Sequence, residues 1–371
     1  MGIRVLHTGD LHIGSFPGPE VGGENARYMD ICKCLDALVA GAREQKPGIA
    51  VIAGDVFHQA RVWSDRGLKE QQTAVKFLRE LSSICPVVVM RGTPNHDSEQ
   101  QFEMLKTTFE GNGEVKIITE PQVVRFFTGA RGWIQIACVP GFDRGYYRAQ
   151  HPGLSKEEEN EVFTKAIEDI IIGLKTQCVA EYGPTVLVSH YTITGCNMES
   201  GQTAFFSQFE PVVYPSTIAA ADFDLVCFGH IHRPQQLDGC KNTFYCGAIS
   251  QLNFNDEEQE RGYYIHEMRD NTDPDFPLPG DDKLREWQRV KSTFYPLPSR
   301  EHLTIRLNDD DVRQLNELGP DWIAGTTDGV EARDKIIRVL YNCTDEHNKA
   351  FNHGTLENWL RDVAGAFWVQ E

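Results

Sequence analysis

The chain has 371 residues, 40% of them hydrophobic and 24% charged, which is enough for about two domains with cores of their own. Its 36 Lys and Arg stand against 54 Asp and Glu, a formal net charge of −18 that argues against coating nucleic acid or anionic membrane through bulk charge. No apolar run predicts a bilayer span, the N-terminus lacks the basic and apolar regions of a signal peptide, and ten scattered cysteines without a Cys-x-x-Cys pair predict free thiols in a reducing cytoplasm rather than a zinc ribbon.

In chain order, short apolar runs at 3–8, 49–53, 86–90, 185–189 and 224–228 predict strands buried on both faces. Helical patterns lie between them at about 25–45, 67–83 and 155–178, the last opening with Ser155 and Glu158 as a capping box. Segments 115–118, 123–127 and 133–138, then 235–238, 244–246 and 262–268, predict hairpin and edge strands, so the sheet is expected to be mixed. The Pro-, Gly- and Asp-dense stretch 271–283 predicts a linker between a domain over 1–270 and one over 284–371. Beyond it, strands near 302–307, 335–341 and 366–369 and helices near 309–318 and 355–363 predict a small α+β unit. The fold expected is an α/β two-sheet mixed sandwich flanked by helices, with a small C-terminal α+β domain.

Five polar clusters fall at or just after the carboxyl ends of predicted strands, where open α/β sheets build their sites. They are Asp10-Leu11-His12, Gly54-Asp55-Val56-Phe57-His58, Gly92-Thr93-Pro94-Asn95-His96-Asp97, Ser189-His190 and Gly229-His230-Ile231-His232. Residues spaced i, i+2 on extended chain point to the same side, so Asp10 with His12, and His230 with His232, can each grip one centre. Asp10, His12, Asp55, Asn95, His190, His230 and His232 make a carboxylate, amide and imidazole set suited to Mn²⁺, Fe²⁺, Zn²⁺ or Mg²⁺ rather than a soft metal. That many side chains suit two ions sharing a bridging carboxylate, as in hydrolytic two-metal sites. His96 is placed to donate a proton or hydrogen bond to phosphate, with Asp97 to orient it.

Each cluster alone also reads as an ordinary turn with a solvated acid or a satisfied histidine. Their joint occurrence on successive strand ends, using six of the twelve histidines, is what points to a metal centre. His7, inside the first strand, reads as a hydrogen-bonded core residue, and His151, His266, His302, His347 and His353 as surface or packing residues. The stretch Phe142-Asp143-Arg144-Gly145-Tyr146-Tyr147-Arg148 reads as a surface loop or a platform for stacking on bases.

The order Asp-x-His, Gly-Asp-x-x-His, Asn-His-Asp, His, Gly-His-x-His resembles the calcineurin-like metallophosphoesterase superfamily. Gly54-Asp55-Val56-Phe57-His58, Gly229-His230-Ile231-His232-Arg233-Pro234-Gln235 and Tyr245-Cys246-Gly247-Ala248-Ile249-Ser250 resemble its SbcD-type double-strand-break repair branch. The resemblance implies one metal on Asp10, His12, Asp55 and His232 and another on Asp55, Asn95, His190 and His230, with Mn²⁺ expected. It implies His96 as the transition-state histidine and His58 as a histidine near the scissile phosphate or a hydrogen-bonding support. It further implies a capping domain that positions DNA, a homodimer through helices near 63–82 and 99–109, and an SbcC-like ATPase of the SMC family as partner. The activity implied is a DNA exonuclease and endonuclease in the cytoplasm of a bacterial or phage-infected cell. A phosphoesterase acting on a small molecule or a phosphoprotein is the alternative, and a scaffold that has lost catalysis is a third.

Two departures from the pattern matter. The family reads Gly-Asn-His-Asp, whereas Thr93-Pro94 here separate Gly92 from Asn95, so Asn95 must approach its metal by a different path. The chain also ends soon after the expected capping domain, where the family often carries a further segment for the ATPase. Arg61, Arg66, Lys69, Arg91, Arg144, Arg148 and Arg233 lie in or near the motif loops and could offset the acidity locally. Weak intrinsic affinity for DNA is expected.

Overall fold

Strands with apolar residues on both faces need a cover on each side, and the chain supplies it by stacking two sheets and flanking them with helices. The computed structural model describes residues 2–61, 64–129, 132–141, 148, 152–198, 211–269, 289–326 and 331–370. In chain order, β1 (Ile3–Thr8) leads through a ribbon of β2 (Glu20–Val21) and β3 (Glu24–Asn25) into α1 (Ala26–Gln45). β4 (Ile49–Ile52), α2 (Asp65–Ser82), β5 (Val87–Met90), α3 (Glu99–Thr108) and β6 (Val115–Ile118) follow as alternating strand and helix. Next come β7 (Gln122–Phe127), β8 (Trp133–Val139), α4 (Lys156–Thr176), β9 (Thr185–Ser189), β10 (Thr192–Ile193), β11 (Val212–Val213), α5 (Pro215–Ala221) and β12 (Leu225–Phe228). β13 (Gln235–Gln236), β14 (Thr243–Tyr245), β15 (Gly262–Arg269) and β16 (Arg289–Pro296) complete the two large sheets.

Among the described residues the first sheet runs β16-β15-β1-β4-β5-β6 and the second β13-β14-β12-β9-β8-β7. In the first, β1, β4, β5 and β6 are parallel, β15 pairs antiparallel with β1, and β16 pairs antiparallel with β15 at the edge. In the second, β8, β9, β12 and β14 are parallel and β7 and β13 are antiparallel edges. The mixed sheets expected from the sequence are therefore present, with β7 and β8 as a hairpin, but β8, β14 and β15 are each paired on both sides rather than lying at an edge.

The period of two along each strand sorts the core. Ile3 and Val5, Ile49 and Val51, Val88 and Met90 from the first sheet meet Ile134 and Ile136, Val186 and Val188, Leu225 and Cys227 from the second in one buried layer. The opposite face of the second sheet (Ala137, Val139, Leu187, Val226 and Phe228) packs with Ile167, Ile171 and Leu174 of α4 and Ile218 of α5. Such two-sided burial removes roughly 2 kcal/mol worth of apolar surface per large side chain from water, and leaves the polar clusters only the strand ends.

The chain divides into two compact units, Met1–Ser15 with Ile31–Ser250 and Glu260–Pro298, and Phe16–Asp30 with Gln251–Gln259 and Ser299–Glu371. Residues 271–283, the expected linker, lie outside the described residues, as do 142–147 of the aromatic and basic stretch. Residues 289–296, expected in the C-terminal domain, instead pair with β15 along its whole length, because that strand would otherwise leave its edge open.

The second unit is a three-stranded parallel sheet, β17 (His302–Asn308), β18 (Ile336–Asn342) and β19 (Trp368–Gln370), with helices α6 (Asp309–Leu318), α7 (Asp345–Ala350) and α8 (His353–Asp362). Ile305, Leu307, Val312, Leu315, Leu356 and Leu360 form its core. Its N-terminal piece is tied in by polar contacts the sequence does not announce. Arg27 donates to the Gln251 and Leu252 carbonyls, and Arg300 pairs with Asp30 at 2.7 Å.

Candidate metal centre

The carboxyl ends of β1, β4 and β5 in one sheet and β9 and β12 in the other carry the polar clusters, and the turns that follow are held in unusual backbone. Asp10, His12, Asp55 and His230 have φ of 46°, 45°, 49° and 88°, a left-handed region that costs a non-glycine residue of order 1–3 kcal/mol. Gly54, at φ 92°, is required outright, since a Cβ there would lie 2.5 Å from Nδ1 of His190 and 2.7 Å from Cα of Gly92. Main-chain bonds Asp10 N to Gly54 O (2.9 Å), His12 N to Asp55 O (3.1 Å) and Ile13 N to Val56 O (2.9 Å) lock the two turns together.

One half of the centre is Asp10, His12 and His232, whose ligand atoms all lie within 4.8 Å of one another. Nε2 of His12 and Nε2 of His232 face each other at 3.1 Å, and they stand 4.0 and 3.8 Å from Oδ1 of Asp10. The His230 N–H donates to both Asp10 oxygens, at 3.1 and 3.0 Å, and the Arg261 guanidinium donates to the His232 carbonyl. Burial, then the imidazoles of His96 and His232, pushes His12 well below its ordinary value. Burial, then Arg261, pushes His232 down to about 3, while burial raises Asp10 to about 6 against the pull of His190. At neutral pH this half is two neutral imidazoles around one carboxylate.

The other half is Asp55, His190 and His230, all buried and again within 4.8 Å. Nδ1 of His190 donates to the Ala53 carbonyl at 2.6 Å, which turns Nε2 towards Oδ2 of Asp55 at 3.1 Å. Burial works against both charges, yet each holds the other. His190 is raised to about 10 by Asp55 and then Asp10, and Asp55 is held well below the carboxylate range by His190.

The loop after β5 closes over both halves. The Thr93 N–H and hydroxyl both donate to Oδ1 of Asp55, at 2.7 and 2.9 Å. Nδ1 of His96 donates to the His58 carbonyl at 2.5 Å, and the ring stands edge-on to His12 with centroids 4.6 Å apart. His58 lies 6.0 Å from His12 and 6.1 Å from His96 by ring centroid, so His12, His58 and His96 form a third convergent group.

The donors present fit a pair of divalent cations. Nδ1 of His12 and Nδ1 of His232 are buried without a hydrogen-bond partner, while their Nε2 atoms, 3.1 Å apart, converge with Oδ1 of Asp10 on one point. Buried imidazole and carboxylate without thiolate is the chemistry of borderline and hard divalent ions. The contrast is a fourth histidine group in the core, His7, His266 and Cys227. There Nδ1 of His7 meets Nε2 of His266 at 3.2 Å, Nε2 of His7 meets the Phe228 carbonyl at 3.1 Å, and Nδ1 of His266 meets Oγ of Ser292 at 2.7 Å. Every ring nitrogen is taken, so this is a hydrogen-bond chain, as expected for His7. His266, expected at the surface or in packing, is its buried middle link.

Of the seven ligand candidates, the structure brings Asp10, His12, Asp55, His190, His230 and His232 together. Asn95 is exposed, and its carbonyl accepts the Ala60 N–H at 3.0 Å, because the two added residues carry it outward. Asp97 also departs from expectation. It accepts the N–H groups of Gly92 (2.8 Å), Phe57 (3.0 Å) and Val56 (3.2 Å), so it clamps the loops, and the His58 carbonyl is what orients His96. Burial, then Asp55, raises Asp97 to about 7 against those three bonds. Sequence reasoning missed Thr93 and Arg261; the insertion itself signalled the first, and nothing local signals the second.

Several of the basic residues expected to soften the acidity are engaged. Arg148 makes a two-point pair with Glu159 at 2.7 and 2.8 Å, Arg61 stands 3.6 Å from Glu70, and Arg91 donates to the Gly141 carbonyl at 3.3 Å. All ten cysteines are free thiols. Among the described residues no helix is long and apolar enough to cross a membrane.

Residues 3–234 match the family model described as calcineurin-like phosphoesterase. Among solved structures, a dimetal phosphatase from Danio rerio is 11% identical with a TM-score of 0.41, covering 79% of this chain and 99% of its own. The calcineurin-like phosphoesterase YfkN from Bacillus subtilis is 12% identical with a TM-score of 0.44, over 81% of this chain and 93% of that one. A protein described as a 5′-nucleotidase from Staphylococcus aureus is 14% identical with a TM-score of 0.43, over 87% of this chain and 59% of that one.

Proposed function

Because this chain belongs to the calcineurin-like phosphoesterase family, a family of metal-dependent hydrolases, we propose that it is a DNA nuclease of the SbcD type, exonuclease and endonuclease, acting through two divalent cations, with Mn²⁺ preferred. The observation that carries this reading is that the imidazoles of His58 and His96 stand beside His12, a member of the six-residue cluster. Asp10, His12, Asp55 and His232 would hold one cation, and Asp55, His190 and His230 the other. Bound there, the pair would supply an activated water and charge to offset the phosphoryl oxygens.

The chain's own residues supply the rest. Through its Nδ1 bond to the His58 carbonyl, His96 has its ring fixed, which leaves Nε2 as the atom that protonates the leaving oxygen. Asp97, by gripping Gly92, Val56 and Phe57, keeps the His96 loop against the Asp55 loop, so donor and shared carboxylate hold a fixed separation. A homodimer, an SbcC-like SMC-family ATPase and a cytoplasmic setting in a bacterial or phage-infected cell complete the proposal.

One observation favours a small phosphodiester or a phosphoprotein instead: Arg61 and Arg148 are paired with acids rather than offered to a polyanion. Linear duplex DNA, single-stranded DNA and a generic small phosphodiester, each with Mn²⁺ and with and without an ATPase partner, separate the two. Cleavage of DNA, increased by the ATPase, is expected. Turnover of the small diester alone would favour the second reading.

A further inference from the structure

We propose that Thr93, not Asn95, serves the second half of the centre, as the positioning residue that fixes the shared carboxylate of Asp55. The inference rests on the two-metal reading above but not on the nature of the substrate. Thr93 places two donors, its N–H at 2.7 Å and its hydroxyl at 2.9 Å, on the single oxygen Oδ1 of Asp55. The other oxygen, Oδ2, is thereby aimed at Nε2 of His190, 3.1 Å away. Two donors on one oxygen stop the carboxylate from rotating, which a single hydrogen bond would not.

The backbone explains why Thr93 and not Asn95 is there. A Cβ on Gly92 would collide with the amide N and Oδ1 of Asp55, so glycine lets the chain pass directly against that residue and presents Thr93 to it. The Thr93 carbonyl then accepts the His96 N–H at 3.0 Å and the Asp97 N–H at 2.8 Å. That closed turn carries Pro94 and Asn95 to the exposed side and returns the chain with His96 inward. An amide expected to touch a cation directly is thus replaced by a hydroxyl acting through the carboxylate. The second half is left with one protein donor fewer than the motif order implies, a position for water or a substrate oxygen.

The test is a Mn²⁺ titration of metal-free protein, followed by electron paramagnetic resonance, for wild type, Thr93→Val, Thr93→Ser and Asn95→Ala. Thr93→Val is expected to weaken the second equivalent of Mn²⁺ by about 10- to 100-fold, the usual loss when a residue supporting a ligand is removed. Thr93→Ser, which restores the hydroxyl, is expected to bind like wild type, and so is Asn95→Ala. Weakening by Asn95→Ala, full affinity in Thr93→Val, or failure of Thr93→Ser to rescue would each overturn the proposal. If Thr93→Val fails to fold by circular dichroism, the Ser and Asn95 variants still decide. Fewer than two Mn²⁺ in the wild type would overturn the two-metal reading and this proposal with it.

Discussion

The two halves of the centre are built from the same residue types and end in opposite protonation. Around Asp10, His12 and His232 are neutral imidazoles, driven down by burial and then by His96 and His232 for His12 and by Arg261 for His232. Around Asp55, His190 is raised to about 10 and forms an ion pair. The difference comes from partners. His190 has a carboxylate at 3.1 Å, whereas Nε2 of His12 and of His232 have each other at 3.1 Å and a carboxylate only at 3.8–4.0 Å. Two clusters with one composition therefore respond differently to cations. The first accepts one without losing a proton; the second must release the His190 proton first.

Removing the residue common to both halves should have the largest effect. Asp55→Asn is expected to lower hydrolysis at least ~10³-fold and to bring bound Mn²⁺ below one per chain by dialysis and atomic absorption. Retention of two ions would show that Asp55 is not shared. His96→Ala removes a ligand from neither half, so it should cost about 10²–10⁴ in rate while keeping near two ions per chain. Loss of both metals in that variant would make His96 part of the cluster rather than a proton donor.

The halves should also separate with pH. Below about 6 Asp10 protonates and the first half loses affinity, while above that its affinity is flat. The second half should gain about tenfold per pH unit up to about 10, because its binding displaces the His190 proton. In metal-free protein the sign is opposite: the raised His190 value gives stability that is full below 6.5 and is lost as pH rises through 10. Parallel pH trends for the two Mn²⁺ equivalents would erase the contrast.

The smallest effect lies outside both halves. Glu70 is buried on α2, with burial raising it to about 7 although Arg61 and Arg66 oppose. Its contribution is full below the unfolded value of 4.5 and lost as pH rises through 7. Glu70→Gln should therefore stabilise the protein by about 1–2 kcal/mol at pH 8 and not at pH 4, read by thermal melts. A gain at both values would mean packing, not charge, is responsible.

The strands were legible because parallel strands covered on both sides must be continuous apolar runs, and β1, β9 and β12 appear where those runs lie. The five clusters were legible for the related reason that apolar strands leave polar side chains only at their ends. What was not legible depends on partners far away in sequence. β16 follows a Pro- and Asp-rich stretch and gains its place only by pairing with β15. His266 looked incidental until β15 brought it against His7. Glu70 and Gln71 sit among the buried positions of α2 where an apolar pattern would show Leu. Asn95 and Asp97 carried the motif's letters, but Thr93-Pro94 changed the path of the loop, and side-chain roles followed the path.

The most direct test of the centre is a calorimetric titration of metal-free protein with Mn²⁺ at pH 7, run in two buffers of different ionisation enthalpy. Two ions per chain are predicted, with about one proton released, all of it on a single equivalent. A single ion, or two ions with no proton release, would contradict the account.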